Sequence, residues 1–257
     1  MSVVVGGKII TELPEISKKI AAKMANLKNA AKVIKKLPDN IQAILNDVAR
    51  FNPQILDEIK IFLSNIDFNI LEKLCKAKGF DKVLSDMALH WKKFRGGKFQ
   101  IEYAKKLLTE GKIISFEVSD LSNDLTRIYD IVVDSFEKGA LITKRLELKN
   151  WSHFYPETIK SQFLKDLQKM KNLGDIQWIF AKTDNISDLQ TLKAKVIAAL
   201  KTVDGKPIEE LEKLFEPNSV FSEKFLKWTK GDKSSAELLL EWLDKPENFK
   251  KIFEIVD

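Results

Sequence analysis

The chain has 257 residues, 44% hydrophobic and 31% charged, a composition that fits a globular protein and excludes a disordered one. One cysteine, Cys75, and two histidines, His90 and His153, exclude an internal disulfide, a multi-cysteine zinc site and a histidine-rich metal centre. The net charge of +6 is uneven: residues 205–257 carry 9 basic and 12 acidic groups, against 34 and 25 in residues 1–204.

A basic body can attract polyphosphates, whereas the acidic balance of the last segment suits a lid or a partner surface. Any metal must be held by carboxylates, whose oxygens favour magnesium, calcium or manganese. No apolar run approaches the ~20 residues of a membrane-spanning helix. The start, "MSVVVGGKIITELPEISKKI", lacks the basic lead and sustained apolar stretch of a signal peptide. Export would then require a larger protein or a non-standard route.

From Leu13 to about Trp91 apolar residues recur at helical spacing. Pro38-Asp39-Asn40 closes the first helix, and Asn52-Pro53 separates two more, with Pro53 suited to a first helical position. "FNILEKLCKAKG" ends in Gly79, a candidate C-terminal cap, and "DKVLSDMALHW" completes a helical leader, residues 1–94. Cys75 reads as a small apolar residue of its helix.

Arg95-Gly96-Gly97 reads as a break. A short helix, "KFQIEYAKKLLTEG", is expected after it, stopped by Gly111. Three strands follow in "KIISFEVSD", "RIYDIVVDSFE" and "ALITKRLELKN", the last two joined at Lys138-Gly139. A helix in "PETIKSQFLKDLQKMKNLG" and a strand in "IQWIFAKTD" complete an αβββαβ core over residues 95–184. Residues 185–257 read as helices packed on that core. The expected class is α+β with a mixed sheet.

One constellation in the core carries chemistry. Asp130 interrupts the apolar strand "RIYDIVVD", and alternation places it with Ile128, Val132 and Asp134. A carboxylate there is costly to bury unless it is paired or bound to a cation. Glu147 and Lys149 lie two apart on the next strand, hence on one face. Adjacent antiparallel strands would bring all three together. Two acids could hold a metal that activates water, with the lysine serving the water or the transition state.

Asp130 followed by Glu147-x-Lys149, in a helix–three strands–helix–strand order, resembles the PD-(D/E)xK nuclease superfamily. The likeness spans roughly Lys98 to Asp184. Tyr129 stands where the leading proline of the family name would be. The resemblance implies phosphodiester cleavage with Mg2+ or Mn2+ held by Asp130, Glu147 and a glutamate of the preceding helix, Glu102. It also implies a helical glutamine, Gln162 or Gln168, after the lysine strand. Arg145 and His153 are candidate substrate contacts, and Lys160, Lys165, Lys169 and Lys171 a candidate phosphate track.

The segments "LPDNIQAILNDVARFNPQILDEI" and "GFDKVLSDMALHW", leading into a compact nuclease-like C-terminal part, resemble the ends of large bacterial polymorphic toxins, among them contact-dependent inhibition and Rhs-type proteins. That implies a nuclease effector, DNA ahead of RNA as substrate, action in a target-cell cytoplasm and a cognate immunity protein. The alternatives are a tRNA-cleaving toxin with the same site, a housekeeping restriction or repair nuclease, and a non-catalytic helical interaction protein with a degenerate nuclease-like fold.

Overall fold

Helix-forming and strand-forming stretches segregate along the chain, and a computed structural model places them in two compact units, residues 1–97 and 98–257. It describes residues 3–5, 8–10, 13–120, 126–137, 139–217 and 219–257. Among them no helix is long and apolar enough to cross a membrane.

The first unit opens with a short antiparallel pair, β1 (Val3–Val5) and β2 (Lys8–Ile10). Helices α1 (Leu13–Ile34), α2 (Asp39–Phe51), α3 (Pro53–Ser64), α4 (Phe68–Lys76) and α5 (Phe80–Met87) follow. Their boundaries have local causes. Asn52 Oδ1 accepts the Ile55 amide at the start of α3, and Asp67 Oδ1 accepts those of Asn69 and Ile70 at the start of α4. Gly79, at φ +83, precedes α5 after α4 has ended at Lys76.

Arg95-Gly96-Gly97 does not break the chain. α6 (Trp91–Thr109) runs through all three. Gly97 is required by a close approach: a Cβ there would lie 2.2 Å from Met87 Cγ. The helix survives two residues of poor propensity because packing outweighs the roughly 1 kcal/mol that each glycine costs.

The second unit is built on a five-stranded mixed sheet: β3 (Ile113–Asp120), β4 (Arg127–Glu137), β5 (Ala140–Lys149), β6 (Ile176–Ala181) and β7 (Phe253–Val256), in that order. β3, β4 and β5 are antiparallel neighbours, while β5–β6 and β6–β7 are parallel. Gly139, at φ +81, lies in the β4–β5 turn; Lys138 is outside the described residues. The fold class is thus α+β with a mixed sheet.

Between β5 and β6 lies one helical segment in three parts: α7 (Pro156–Thr158), a π-helical turn (Ile159–Phe163) and α8 (Leu164–Lys169). Between β6 and β7 come α9 (Leu189–Ala199), α10 (Glu209–Glu212) with a 3-10 turn (Lys213–Phe215), α11 (Val220–Thr229), α12 (Ala236–Asp244) and α13 (Pro246–Phe249). The expectation of helix to the last residue is corrected here, since Phe253–Val256 forms β7 beside β6. Residues 185–257 belong to the same compact unit as the sheet.

One face of this sheet carries Ile176, Trp178, Phe180 and Phe253, which join Phe163, Leu167, Leu192, Leu239 and Phe249 in a single buried cluster. Phe249 and Phe253 stack at 4.3 Å. Each fully buried aromatic contributes on the order of 1.5–3 kcal/mol. On the opposite face, Tyr103 of α6 donates to Glu254 of β7 at 3.3 Å. With both faces covered, the last four residues of β5 are all buried, charged ones included.

Candidate active site

The β4–β5 ladder holds from Glu137↔Ala140 to Ile131↔Leu146 and then stops. One further step would set Asp130 opposite Glu147. Instead Asp130 Oδ2 accepts the Leu148 amide at 2.6 Å, taking the place of a ladder partner. Its Oδ1 accepts Gln100 Nε2 from α6 at 2.7 Å, and the same nitrogen donates to Glu117 Oε1 of β3 at 3.1 Å. Glu117 has φ +50, a left-handed backbone inside a strand, between the pairs Phe116↔Ile131 and Val118↔Tyr129.

This geometry corrects the parity expected from the sequence. Ile131 pairs with Leu146, which alternation turns away from Glu147's face. Tyr129, two residues from Ile131, nevertheless donates its hydroxyl to Asp166 of α8, which lies on the Glu147 side. The alternation of β4 slips between Tyr129 and Ile131. Asp130 sits at the slip, with its carboxylate in the gap between β4 and β5 and reached from α6.

Glu147 and Lys149 do share a face. Lys149 Nζ donates to Glu147 Oε1 at 2.5 Å and to Gln162 Oε1 at 3.0 Å. The ammonium lies 5.0 Å from the Trp178 ring centre and 5.4 Å from that of Trp151, favourable for a cation against indole π-clouds. Gln162 comes from the π turn, whose extra residue per turn alters which side chains the segment presents.

Behind these residues lies a buried polar network. Arg127 Nε donates to Asp166 Oδ1 at 2.7 Å, and its Nη2 reaches Asp166 Oδ2 at 3.1 Å and Glu147 Oε2 at 3.2 Å. Tyr129 Oη and Trp178 Nε1 donate to Asp166 at 3.1 and 2.9 Å. Asp166 therefore accepts four bonds, while Glu147 Oε2 meets no donor in hydrogen-bonding geometry. Burial raises the Asp166 pKa, and its bonds with Arg127 oppose the rise.

Asp130 is the perturbed acid of the group. Burial, and next the charge of Glu147, push its pKa up to about 7, against the pull of Lys149 and of the Leu148 amide. The charge of Glu147 beside Asp130 is a repulsion that a divalent cation would relieve. Glu147 Oε2, ion-paired with Arg127 at 3.2 Å but outside hydrogen-bonding geometry, keeps a lone pair for such an ion. Among the described residues no group of three His, Cys, Asp or Glu side chains converges. A hard ion such as Mg2+ is nonetheless served by one or two carboxylates completed with water and phosphate oxygens. Asp130 and Glu147 fit that need.

The remaining candidates lie elsewhere. Glu102 is exposed and pairs with Lys105 at 2.7 Å, so the α6 residue at the site is Gln100, two positions earlier. Two residues on a helix differ by about 200° in direction. His153 is exposed in the loop after β5, its Nδ1 3.4 Å from Asn185 Nδ2. Arg145 pairs with Asp120 at 3.3 Å. Asp134 accepts from Thr143 near the hairpin end of the sheet. Of the lysine group, Lys169 is buried against Asp120 and Lys160 pairs with Glu157.

Gln100, Glu117, Arg127 and Asp166 escape sequence reasoning. Asp166 alone left a signal, because Phe163, Leu167 and Met170 bracket it on the apolar stripe of its helix. No family model, curated protein or solved structure matches the chain.

Proposed function

We propose that the chain is a magnesium-dependent nuclease whose active site is Asp130, Glu147 and Lys149. The observation that carries the reading is Asp130 at the parting of β4 and β5, with a pKa raised partly by Glu147, beside a buried lysine oriented by Glu147 and Gln162. Perturbed acids clustered with an oriented cation are what phosphoryl chemistry requires. When bound by Asp130 and Glu147, the ion supplies Lewis-acid stabilisation of the phosphate. Lys149 places a positive charge where negative charge develops and orients the attacking water. Gln100 holds Asp130 in its position.

Purified protein is expected to degrade plasmid DNA or total tRNA with Mg2+ and to stop in EDTA. Asp130→Ala and Lys149→Ala are expected to lose about 100-fold or more of the rate. Cleavage by either variant at the wild-type rate sinks the assignment. DNA is the first substrate to test, and running tRNA beside it separates the two polymers.

The resemblance of residues 37–59 and 79–91 to polymorphic toxins supports the further proposal that this nuclease is the effector region of an interbacterial toxin, with an immunity protein as partner. Expression in a bacterial host tests it, since toxicity must vanish with Lys149→Ala.

One observation favours a second reading, a non-catalytic nuclease-like fold. Glu147 is already neutralised by Arg127 and Lys149, and both Asp130 oxygens are taken by donors. Calorimetric titration with Mg2+ decides: heat that disappears in Asp130→Asn supports the nuclease, and its absence from wild type supports the inert fold.

A further inference from the structure

A second charged feature lies on β5, nearer the hairpin. Lys144, Arg145, Lys169, Lys171 and Lys224 line a cavity of about 920 Å3 together with Asp120. Asp120 is committed to Lys169 at 3.1 Å and to Arg145 at 3.3 Å. The other acid of the lining, Asp175, accepts the Asn172 amide at 2.7 Å. Among the described residues no carboxylate pairs with Lys144, Lys171 or Lys224.

The Lys224 ammonium is fixed, since it donates to the Gln168 carbonyl at 2.6 Å. Burial lowers its pKa, and the charge of Lys171 lowers it further. Two ammonium groups that repel each other inside one concave surface constitute an unsatisfied positive potential, which an anion relieves.

We infer that this groove binds the phosphodiester backbone of a single nucleic-acid strand. Arg145 and Lys149 lie on one face of the strand, four residues or roughly 13 Å apart. Between them Glu147 is buried with Arg127 and Asp166, so a strand held in the groove stays at the hairpin end of β5. Three ammonium groups without carboxylate partners among the described residues, spread along one groove, favour the successive phosphates of a polymer over a single small anion. The inference deepens the nuclease reading and rests on it for the choice of nucleic acid over an acidic protein.

The test is binding of a short fluorescein-labelled single-stranded oligonucleotide, followed by anisotropy over a range of salt in EDTA. Each phosphate neutralised contributes about 0.7 to the slope of log K against log salt. Lys144→Gln/Lys171→Gln, both outside the core, is expected to reduce that slope by roughly 1.4 with an unchanged circular dichroism spectrum. Adding Lys224→Gln takes the reduction to about 2. Equal slopes for wild type and the double variant overturn the inference. Tighter binding of tripolyphosphate or of polyglutamate than of the oligonucleotide also overturns it, assigning the groove to a small polyphosphate or an acidic protein. Because EDTA suppresses cleavage, a protein that binds with the expected slope but never cleaves supports the groove and sinks the nuclease.

Discussion

Asp130 Oδ2 lies 2.6 Å from the amide nitrogen of Leu148, one step beyond the last β4–β5 pair. A side chain thus finishes a backbone ladder, and its charge is held where the sheet opens. The cost of that placement is measurable through pH.

The Asp130 pKa is raised from 3.8 to about 7 in the folded protein, first by burial and then by Glu147. Between those values the folded state holds the proton that the unfolded chain has released. Stability therefore falls as pH rises through this window, by up to roughly 1.4 kcal/mol for each pH unit crossed. Asp130→Asn is expected to be more stable than wild type at pH 8, by about 1–3 kcal/mol, with the advantage gone near pH 4. Urea denaturation at both values checks this. Magnesium should stabilise wild type at pH 8 and leave the variant unmoved.

Gln100 and Glu102 offer a paired comparison on one helix. Gln100→Leu removes the donor shared by Asp130 and Glu117 and should cost about 1–2 kcal/mol. Glu102→Gln, which disturbs only an exposed pair with Lys105, should stay within about 0.5 kcal/mol and leave any cleavage rate unchanged. Thermal melts and rate measurements on both variants decide which residue serves the site.

Removing Arg127 strands charge on two sides. Arg127→Ala leaves Asp166 and Glu147 buried with one fewer cation, and a loss of roughly 3–5 kcal/mol is expected. Arg127→Met combined with Asp166→Leu removes both halves of the pair and should recover part of that loss. A double variant no more stable than Arg127→Ala would show that the network contributes through more than its charges.

Lys230 ends α11 at φ +54, a backbone that a side chain disfavours. Lys230→Gly should raise stability by about 1 kcal/mol, seen as a higher Tm. No comparable gain is expected at Glu117, because its carboxylate is the acceptor for Gln100.

The elements that could be read from the sequence are those with local causes. Pro53 at the start of α3, Gly111 at φ +76 after α6 and the short apolar runs of β4 and β6 each act through nearest neighbours. Glu147 and Lys149 were legible as partners because two residues on a strand share a face wherever the strand goes. Tertiary events hid the rest. Gly97 lies within a helix because Met87 occupies the space of its missing Cβ. Phe253–Val256 is a strand because β6 offers a free edge, and its own residues suit helix or strand equally. The slip at Asp130 is fixed jointly by Glu117, Gln100 and Leu148, which come from three separate elements.

β7 also bears on how the protein is made. The strand that closes this sheet is separated from β6 by five helices, and its Phe253 lies in the middle of the aromatic cluster beside Phe163, Trp178 and Phe249. Most of the second unit must therefore leave the ribosome before its core can be sealed. Until Phe253 emerges, the apolar seam beside β6 has no strand to fill it, and long-range closure of this kind slows folding.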